Sequence, residues 1–397
     1  MSESATLAVG AKAAAARAKG HDVIAFAMGE PDFDTPDNIK RAAIAALEQG
    51  MTKYAPTPGD RAAREAIARK LTAENGVEVS FDQVTVTVGA KHAIYMALQA
   101  IVEPGRGDEV LLPTPAWVSY KALIELAGAK CIEVPGSLAR GFRITPAQLE
   151  AAVTPRTVGI VWNSPSNPCG TAYPAEEVRA LCEVLARHER IAVISDEIYE
   201  KLIYPEVTAG LTHFSPGSAP DLRGRTITIN GMSKSYAMTG WRIGYMAAPK
   251  LMAKELIKLQ GQMTNSIPSF FYPAIVEALE NSAEGVEAMR ARFASRAALI
   301  RRELDAVPGF ATVAPDAAFY AFPDVSAHFG KISPSGVRIT GAQSFADALL
   351  EEAHVAVVPG EDFGDCARGH VRFSFACGED SIRRGVARVR EWVARLR

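Results

Sequence analysis

The chain has 397 residues, 48% of them hydrophobic and 22% charged, with a formal net charge of −2. This is the composition of a globular protein with a large core, not of a disordered or fibrous one. Acids and bases are interspersed, so no broad basic face courts a polyanion and nucleic acid is not expected as a partner. The five cysteines are scattered without a C-x-x-C pair, which argues against a disulfide framework or zinc site and favours a reducing cytoplasm, and no metal is expected.

The first residues, including the Ala-rich AKAAAARAKG, lack a basic segment followed by an apolar core. No uncharged apolar run approaches the ~20 residues that span a bilayer, so neither an export signal nor a membrane anchor is expected. A short helix ending at Gly20 accounts for this start. Between residues 84 and 248, short β-branched runs alternate with helical patterns: VTVTV (84–88), EVLLP (109–113), VGIVW (158–162), IAVIS (191–195), TITIN (226–230) and IGYMAA (243–248). Such alternation predicts an α/β fold with a mostly parallel central sheet flanked by helices. One connecting helix follows Pro174, with Glu176 and Glu177 in its first turn and Val178, Leu181, Cys182 and Leu185 along one face. A charged helical stretch at 283–305 leads out of this region. Then AFYAF (318–322), VAVVP (355–359) and VRFSF (371–375) predict strands of a smaller α+β domain. A final helix carries Ile382, Val386, Val389, Val393 and Leu396 as one stripe. The expected division is an N-terminal segment (1–45) contributing to the small domain, a large domain (46–285) and a C-terminal small domain (286–397).

In open parallel sheets, ligands sit beyond the carboxyl ends of the strands. After VTVTV comes Gly89-Ala90-Lys91, opening a helix; after VGIVW comes NSPSNPCG; after IAVIS comes Asp196-Glu197-Ile198-Tyr199; after TITIN comes GMSKSYAMTGWRIGY. The last of these sets Lys234 between two serines, with Arg242 and the glycines 240 and 244 downstream. It resembles the lysine signature of the fold type I pyridoxal-phosphate enzymes, class I aminotransferase family. The resemblance covers essentially the whole chain, from SATLAV (4–9) and GEPDF (29–33) to RFSF (372–375). It is nearest to the bacterial aspartate aminotransferase branch, through KYAP (53–56) and MTGWRIGY (238–245).

A lone loop lysine is ordinarily solvated, but one that is desolvated or flanked by cations loses its proton near neutral pH and can attack an aldehyde. The resemblance implies that Lys234 holds pyridoxal 5′-phosphate as a Schiff base and then serves as general base and acid. Asp196 reads either as a helix cap or, by the resemblance, as the carboxylate that keeps the pyridine nitrogen protonated. The resemblance further assigns Tyr199 and Asn167 to the ring's phenolic oxygen and Trp117 to stacking on the ring, where the plain alternatives are a turn and a core anchor. Gly89, Ala90, Lys91, Ser233 and Arg242 would surround the cofactor's phosphate side, aided by a helix N-terminus. Tyr54 would reach the phosphate of a neighbouring subunit, implying a homodimer with shared active sites. Two departures from the family pattern stand out: Cys169 replaces a usual Thr and is not read as a nucleophile, and Gly231 replaces a Ser or Thr, leaving one phosphate hydrogen bond missing or supplied by water.

Every α-amino acid presents a carboxylate, best held by a forked guanidinium. Arg372 matches that role, against the alternative of an edge-strand charge, and Gly29 would let the backbone approach the substrate. Lys91, in a first helical turn, opposes the helix dipole and calls for a compensating anion. In the aspartate branch that anion is the substrate's side-chain carboxylate, so aspartate and glutamate lead as donors, with a 2-oxo acid as acceptor. The rivals are a prephenate or aromatic amino acid aminotransferase, a lyase on the same fold, and a ligand-sensing transcription factor. The last is disfavoured because no DNA-binding segment precedes residue 20.

Overall fold

The computed structural model describes residues 5–397, so Ser4 of the SATLAV string lies outside the described residues. The first half of the chain runs α1 (Ala5–Ala18), β1 (Ile24–Ala25), α2 (Asp37–Glu48), α3 (Arg61–Asn75), β2 (Val84–Val88), α4 (Ala90–Ile101), β3 (Glu109–Thr114), α5 (Ser119–Leu126), β4 (Lys130–Pro135), α6 (Pro146–Ala152), β5 (Thr157–Asn163), α7 (Ala175–Ala186) and β6 (Ala192–Asp196). The second runs β7 (Thr226–Gly231), β8 (Ile243–Ala247), α8 (Lys250–Met263), α9 (Tyr272–Asn281), α10 (Ala283–Asp305), β9 (Tyr320–Ala321), α11 (Ala342–Ala353), β10 (Val355–Ala356), β11 (Val358–Pro359), β12 (Val371–Ser374) and α12 (Glu379–Val393).

Seven strands form one sheet in the order β2-β8-β7-β6-β5-β3-β4. Every pairing is parallel except the two made by β8. The reason lies in the connections: a parallel return needs a crossover of about a dozen residues or more, usually an α-helix, and the short segment 232–242 between β7 and β8 carries only a single 3₁₀ turn at Thr239–Trp241. Helices cover both faces, so β6, β7 and β8 are buried along their whole length and read as unbroken apolar or Thr-rich runs. α4 and α8 cover one face through Ile94, Leu98 and Leu256, packed on Val161, Ile194 and Ile227. α7 covers the other through Val178, Leu181 and Leu185.

A smaller antiparallel sheet has the order β11-β12-β9, and β1 pairs with β10 in parallel. Its core holds Phe26, Phe293, Phe319, Phe345, Phe373 and Trp392. α10 supplies Val286 to the core beside α9, then Phe293 and Ile300 to this aromatic core. α1 packs here too: Val9 and Ala13 join Phe322, Val358 and Phe363.

The elements depart from the sequence expectation at several places, and AFYAF shortens to the two residues of β9. VAVVP divides at Val357, its first half pairing with β1 and its second with β12. α12 ends at Val393, so Leu396 lies beyond it, though still packed on the same core. The strands β1 and β4 were not foreseen: β1 has two residues, and β4 is an edge strand with most of its residues partly exposed and no apolar alternation to reveal it. No helix of the described residues is long and apolar enough to cross a membrane.

Candidate active site

A cavity of about 340 Å³ opens where the strand ends of the wide sheet face the small sheet. Its anion-binding corner is built by α4. That helix starts from Gly89, at φ 76°, and a Cβ there would stand 2.4 Å from Arg242 Nη2. Glycine is therefore what lets the guanidinium lie against the helix N-terminus. Gly244 closes the other side, since its Cβ would meet the Ala90 nitrogen at 2.3 Å. Arg242 Nη1 donates to Thr239 O at 2.9 Å. Free N–H groups of the first turn, the positive dipole end and the cations Arg242 and Lys91 converge here, with Ser233 alongside.

Asp196 ends β6 and lies level with Asn163, the last residue of β5. Asn163 Nδ2 donates to Asp196 O at 2.9 Å. The Asp196 carboxylate accepts from Tyr120 Oη at 2.6 Å and from the Ile198 nitrogen at 3.2 Å, so it makes a turn-type bond and not a helix cap. Burial raises its pKa to about 6 despite these donors. Burial and the adjoining Asp196 charge push the Tyr120 phenol well up, which keeps it a neutral donor. The neighbouring Glu197 is tied into a buried polar network, accepting from Ser195, Ser215 and Asn75 and meeting His213. That network anchors the strand end from behind.

Lys234 sits in the turn after β7, and its Nζ donates to Gly29 O at 2.6 Å. Burial lowers its pKa to about 8; Arg242 and Arg372 act in the same direction, against Glu30. A useful fraction is therefore a neutral, nucleophilic amine near neutral pH. Lys91 Nζ lies 4.8 Å from the Trp117 ring centre, and among the described residues no carboxylate pairs with it. Burial, then the nearby Arg242 charge, lower its pKa too.

Arg372, in the middle strand of the small sheet, is 2% exposed. Its Nη1 donates to Asn167 Oδ1 and its Nη2 to Ala27 O, each at 2.8 Å, while Nε is buried and has no partner among the described residues. The guanidinium lies over the Tyr320 ring, 4.7 Å from its centre. With Oδ1 committed to Arg372, Asn167 presents Nδ2 as a free donor. Tyr199 Oη is 2.9 Å from Tyr320 Oη.

The family model for aminotransferase class I and II matches residues 21–389. The chain belongs to that family. It is 43% identical to the aspartate/prephenate aminotransferase of Cereibacter sphaeroides, over 99% of this chain and 96% of that protein. It is also 43% identical to the aspartate aminotransferase of Geobacillus stearothermophilus, over 99% and 97%. The solved aspartate aminotransferase of Rhizobium meliloti superposes with a TM-score of 0.95 at 39% identity, covering 100% of this chain and 98% of that one. That of Thermus thermophilus with maleate gives 0.90 at 42%, covering 98% and 97%.

The cavity wall of this family member brings together Gly29, Ala90, Lys91, Trp117, Asn167, Asp196, Tyr199, Ser233, Lys234, Arg242 and Arg372. Gly89 stands just behind it, under Arg242. Tyr54 is not brought in: it is 95% exposed and outside the wall. The anion expected beside Lys91 is not a residue of the described chain; the Trp117 face is its neighbour instead, a cation–π contact. Arg372 is on a central strand and not at an edge. At Gly231 no gap awaits a hydroxyl, because a Cβ would meet Ile243 O at 2.8 Å. Cys169 is buried and its thiol pushed well up by burial, as suits an inert side chain. Asn163, Tyr120 and Tyr320 also line the cavity and were missed from sequence. Asn163 was legible as the last residue of its strand; the two tyrosines sit inside a helix and a strand, where an aromatic reads as core.

Proposed function

We propose that the chain is an aminotransferase that moves the α-amino group of an amino acid, aspartate or glutamate favoured, to a 2-oxo acid, using pyridoxal 5′-phosphate carried by Lys234. The observation that carries this is the convergence of three unlike groups in one cavity: an amine lowered to about 8, a buried acid at about 6, and an anion corner at a helix N-terminus. They fit the cofactor's aldehyde, ring nitrogen and phosphate in turn. When bound, the cofactor supplies an electron sink for the pair left as the substrate Cα–H bond breaks.

The chain's own residues do the rest. Asp196 holds the proton on the ring nitrogen, since a carboxylate paired there favours the charged form. Trp117 offers a flat face to the ring, and Asn167 Nδ2 and the Tyr199 hydroxyl donate to its phenolic oxygen. Gly89, Ala90, Ser233 and Arg242 hold the phosphate, joined by Tyr54 from a second copy of the chain, which an otherwise unexplained exposed aromatic supports. The active assembly in this reading is a homodimer in the cytoplasm, consistent with five free cysteines. Arg372 grips the substrate's α-carboxylate with Nε and its remaining N–H groups, and Gly29 allows close approach. With the cofactor in place, Lys234 Nζ would take the Cα proton as general base and return a proton as general acid.

The test is to load the purified protein with the cofactor, add single amino acids and follow its visible spectrum. Aspartate and glutamate should convert it fastest, each releasing its 2-oxo acid. Release of ammonia with no need for a 2-oxo acceptor would mean a lyase and overturn the reading. Because the Cereibacter sphaeroides relative is named for both aspartate and prephenate, prephenate is the second acceptor to try.

A further inference from the structure

Tyr320 stands in β9, 1% exposed, and three observations meet on it. Its hydroxyl is 2.9 Å from Tyr199 Oη. The same hydroxyl lies 2.8 Å from where a Cβ on Gly29 would be, against the residue whose carbonyl holds Lys234. Its ring carries the Arg372 guanidinium. The backbone fixes it there: Tyr320 O would be 1.8 Å from a Cβ on Gly170, so the strand rests directly on the loop that bears Asn167.

We propose that Tyr320 is a positioning residue that couples the acid–base half of the site to the carboxylate clamp, its hydroxyl donating to Tyr199 while its ring orients Arg372. This rests on the aminotransferase reading above. There, Tyr199 gives its proton to a ligand oxygen, so its own oxygen is left to accept, and the Tyr320 hydroxyl is in place to donate. Burial, the first cause for both phenols, raises their pKa values, so both keep their protons at neutral pH. In a donor chain of this kind the first bond polarises the second and strengthens it by roughly 10–30%. A stronger donation to the ring oxygen favours its anionic form and lowers the proton affinity of the nitrogen that Lys234 contributes in the holoenzyme. Tyr320 thus acts on Lys234 Nζ through Tyr199, and on the substrate through Arg372.

Two variants separate these roles. Tyr320→Phe keeps the ring under Arg372 and removes the hydroxyl; Tyr320→Leu removes both. The readouts are the pH midpoint of the holoenzyme's visible band and the KM for aspartate. For Tyr320→Phe the midpoint should rise by about 0.3–1 unit while KM stays within about two-fold. For Tyr320→Leu the midpoint should rise likewise and KM should climb by about ten-fold. In Tyr199→Phe the second substitution, Tyr320→Phe, should add nothing to the midpoint, since its path is gone. An unmoved midpoint in Tyr320→Phe with the band intact, or a shift that persists in full on the Tyr199→Phe background, overturns the inference alone. A wild-type protein that forms no visible band with the cofactor overturns the underlying reading as well.

Discussion

The wide sheet and the small sheet face the same cavity and hold their polar groups in opposite ways. Asp196 and Asn163 are terminal residues of buried strands, and Lys234 follows one in a tight turn, so each projects from a rigid end into a place with few partners. Burial there moves titrations toward neutrality, the acid up to about 6 and the amine down to about 8. Arg372 and Tyr320 instead lie within strands of the small sheet and are held by one another, by Asn167 and by Ala27 O. Burial lowers the guanidinium's pKa too, but from a value so high that it stays charged. The same desolvation that makes one region reactive makes the other a rigid, permanently charged fork. Acid–base chemistry belongs to the strand ends and recognition to the strand interiors.

The largest effect should come from removing the reactive amine. Lys234→Ala should abolish the visible band and cut turnover of aspartate by ~10⁴-fold, the loss of a nucleophile and a general base together. Absorbance and a single-turnover assay check it, and retention of either moves the acid–base chemistry away from the wide sheet. On the other side, Arg372→Lys keeps the charge and loses the fork. It should lower kcat/KM for aspartate by roughly 10–100-fold, mainly through KM, while leaving the band unchanged. A band altered by this substitution would show that the guanidinium itself reaches the acid–base half, beyond the link through Tyr320.

The contrast also explains what was legible in the sequence. The strand-end groups announce themselves because buried strands read as apolar runs, so the first polar residues after them are visible as a set. That logic finds Asp196, Lys234 and Gly89, and it has Asn163 in view as the first residue after VGIVW, though without a role. The small sheet gives no such cue. β9 and β11 have two residues each, and β9 pairs with a strand about fifty residues further along the chain, so Tyr320 looks like one more aromatic in AFYAF. Arg372 was found through its match to a family motif and not through periodicity. Lys91 was legible in another way: dipole reasoning calls for a compensating anion, and a ring face of the chain offers only part of that compensation, which leaves room for an anion brought by a ligand.

Stability offers a smaller but sharper test of the strand-end half, because it needs no cofactor. Lys234 titrates at about 8 when folded against the ordinary 10.5 when unfolded. Between these values the unfolded chain binds more protons, so folding stability rises with pH; below about 8 both states are protonated and the burial cost is felt in full. Lys234→Met carries no such cost. Denaturant unfolding of the cofactor-free proteins should find the Met variant more stable by about 2 kcal/mol at pH 7, a figure reduced because the lysine still meets water in the cavity. The advantage should vanish as pH approaches the unfolded value. A difference that does not change with pH would mean that the amine is not desolvated by its strand end.

Lys91 belongs fully to neither region, and its test is the finest. It stands on the first turn of α4, near the wide sheet's anion corner, yet its charge faces Trp117 and no carboxylate of the described chain. A desolvated cation in that position favours whichever anion a ligand brings. If the anion is the substrate's side-chain carboxylate, Lys91→Ala should lower kcat/KM for aspartate by about five- to ten-fold, the worth of one charged contact partly open to water, and leave phenylalanine within about two-fold. If it is instead the cofactor's phosphate, both substrates should lose equally and the cofactor should dissociate more readily on dialysis. Arg242 already lies against the helix N-terminus at Gly89, so the phosphate has a permanent cation without Lys91. That leaves Lys91 to the substrate and predicts the unequal loss.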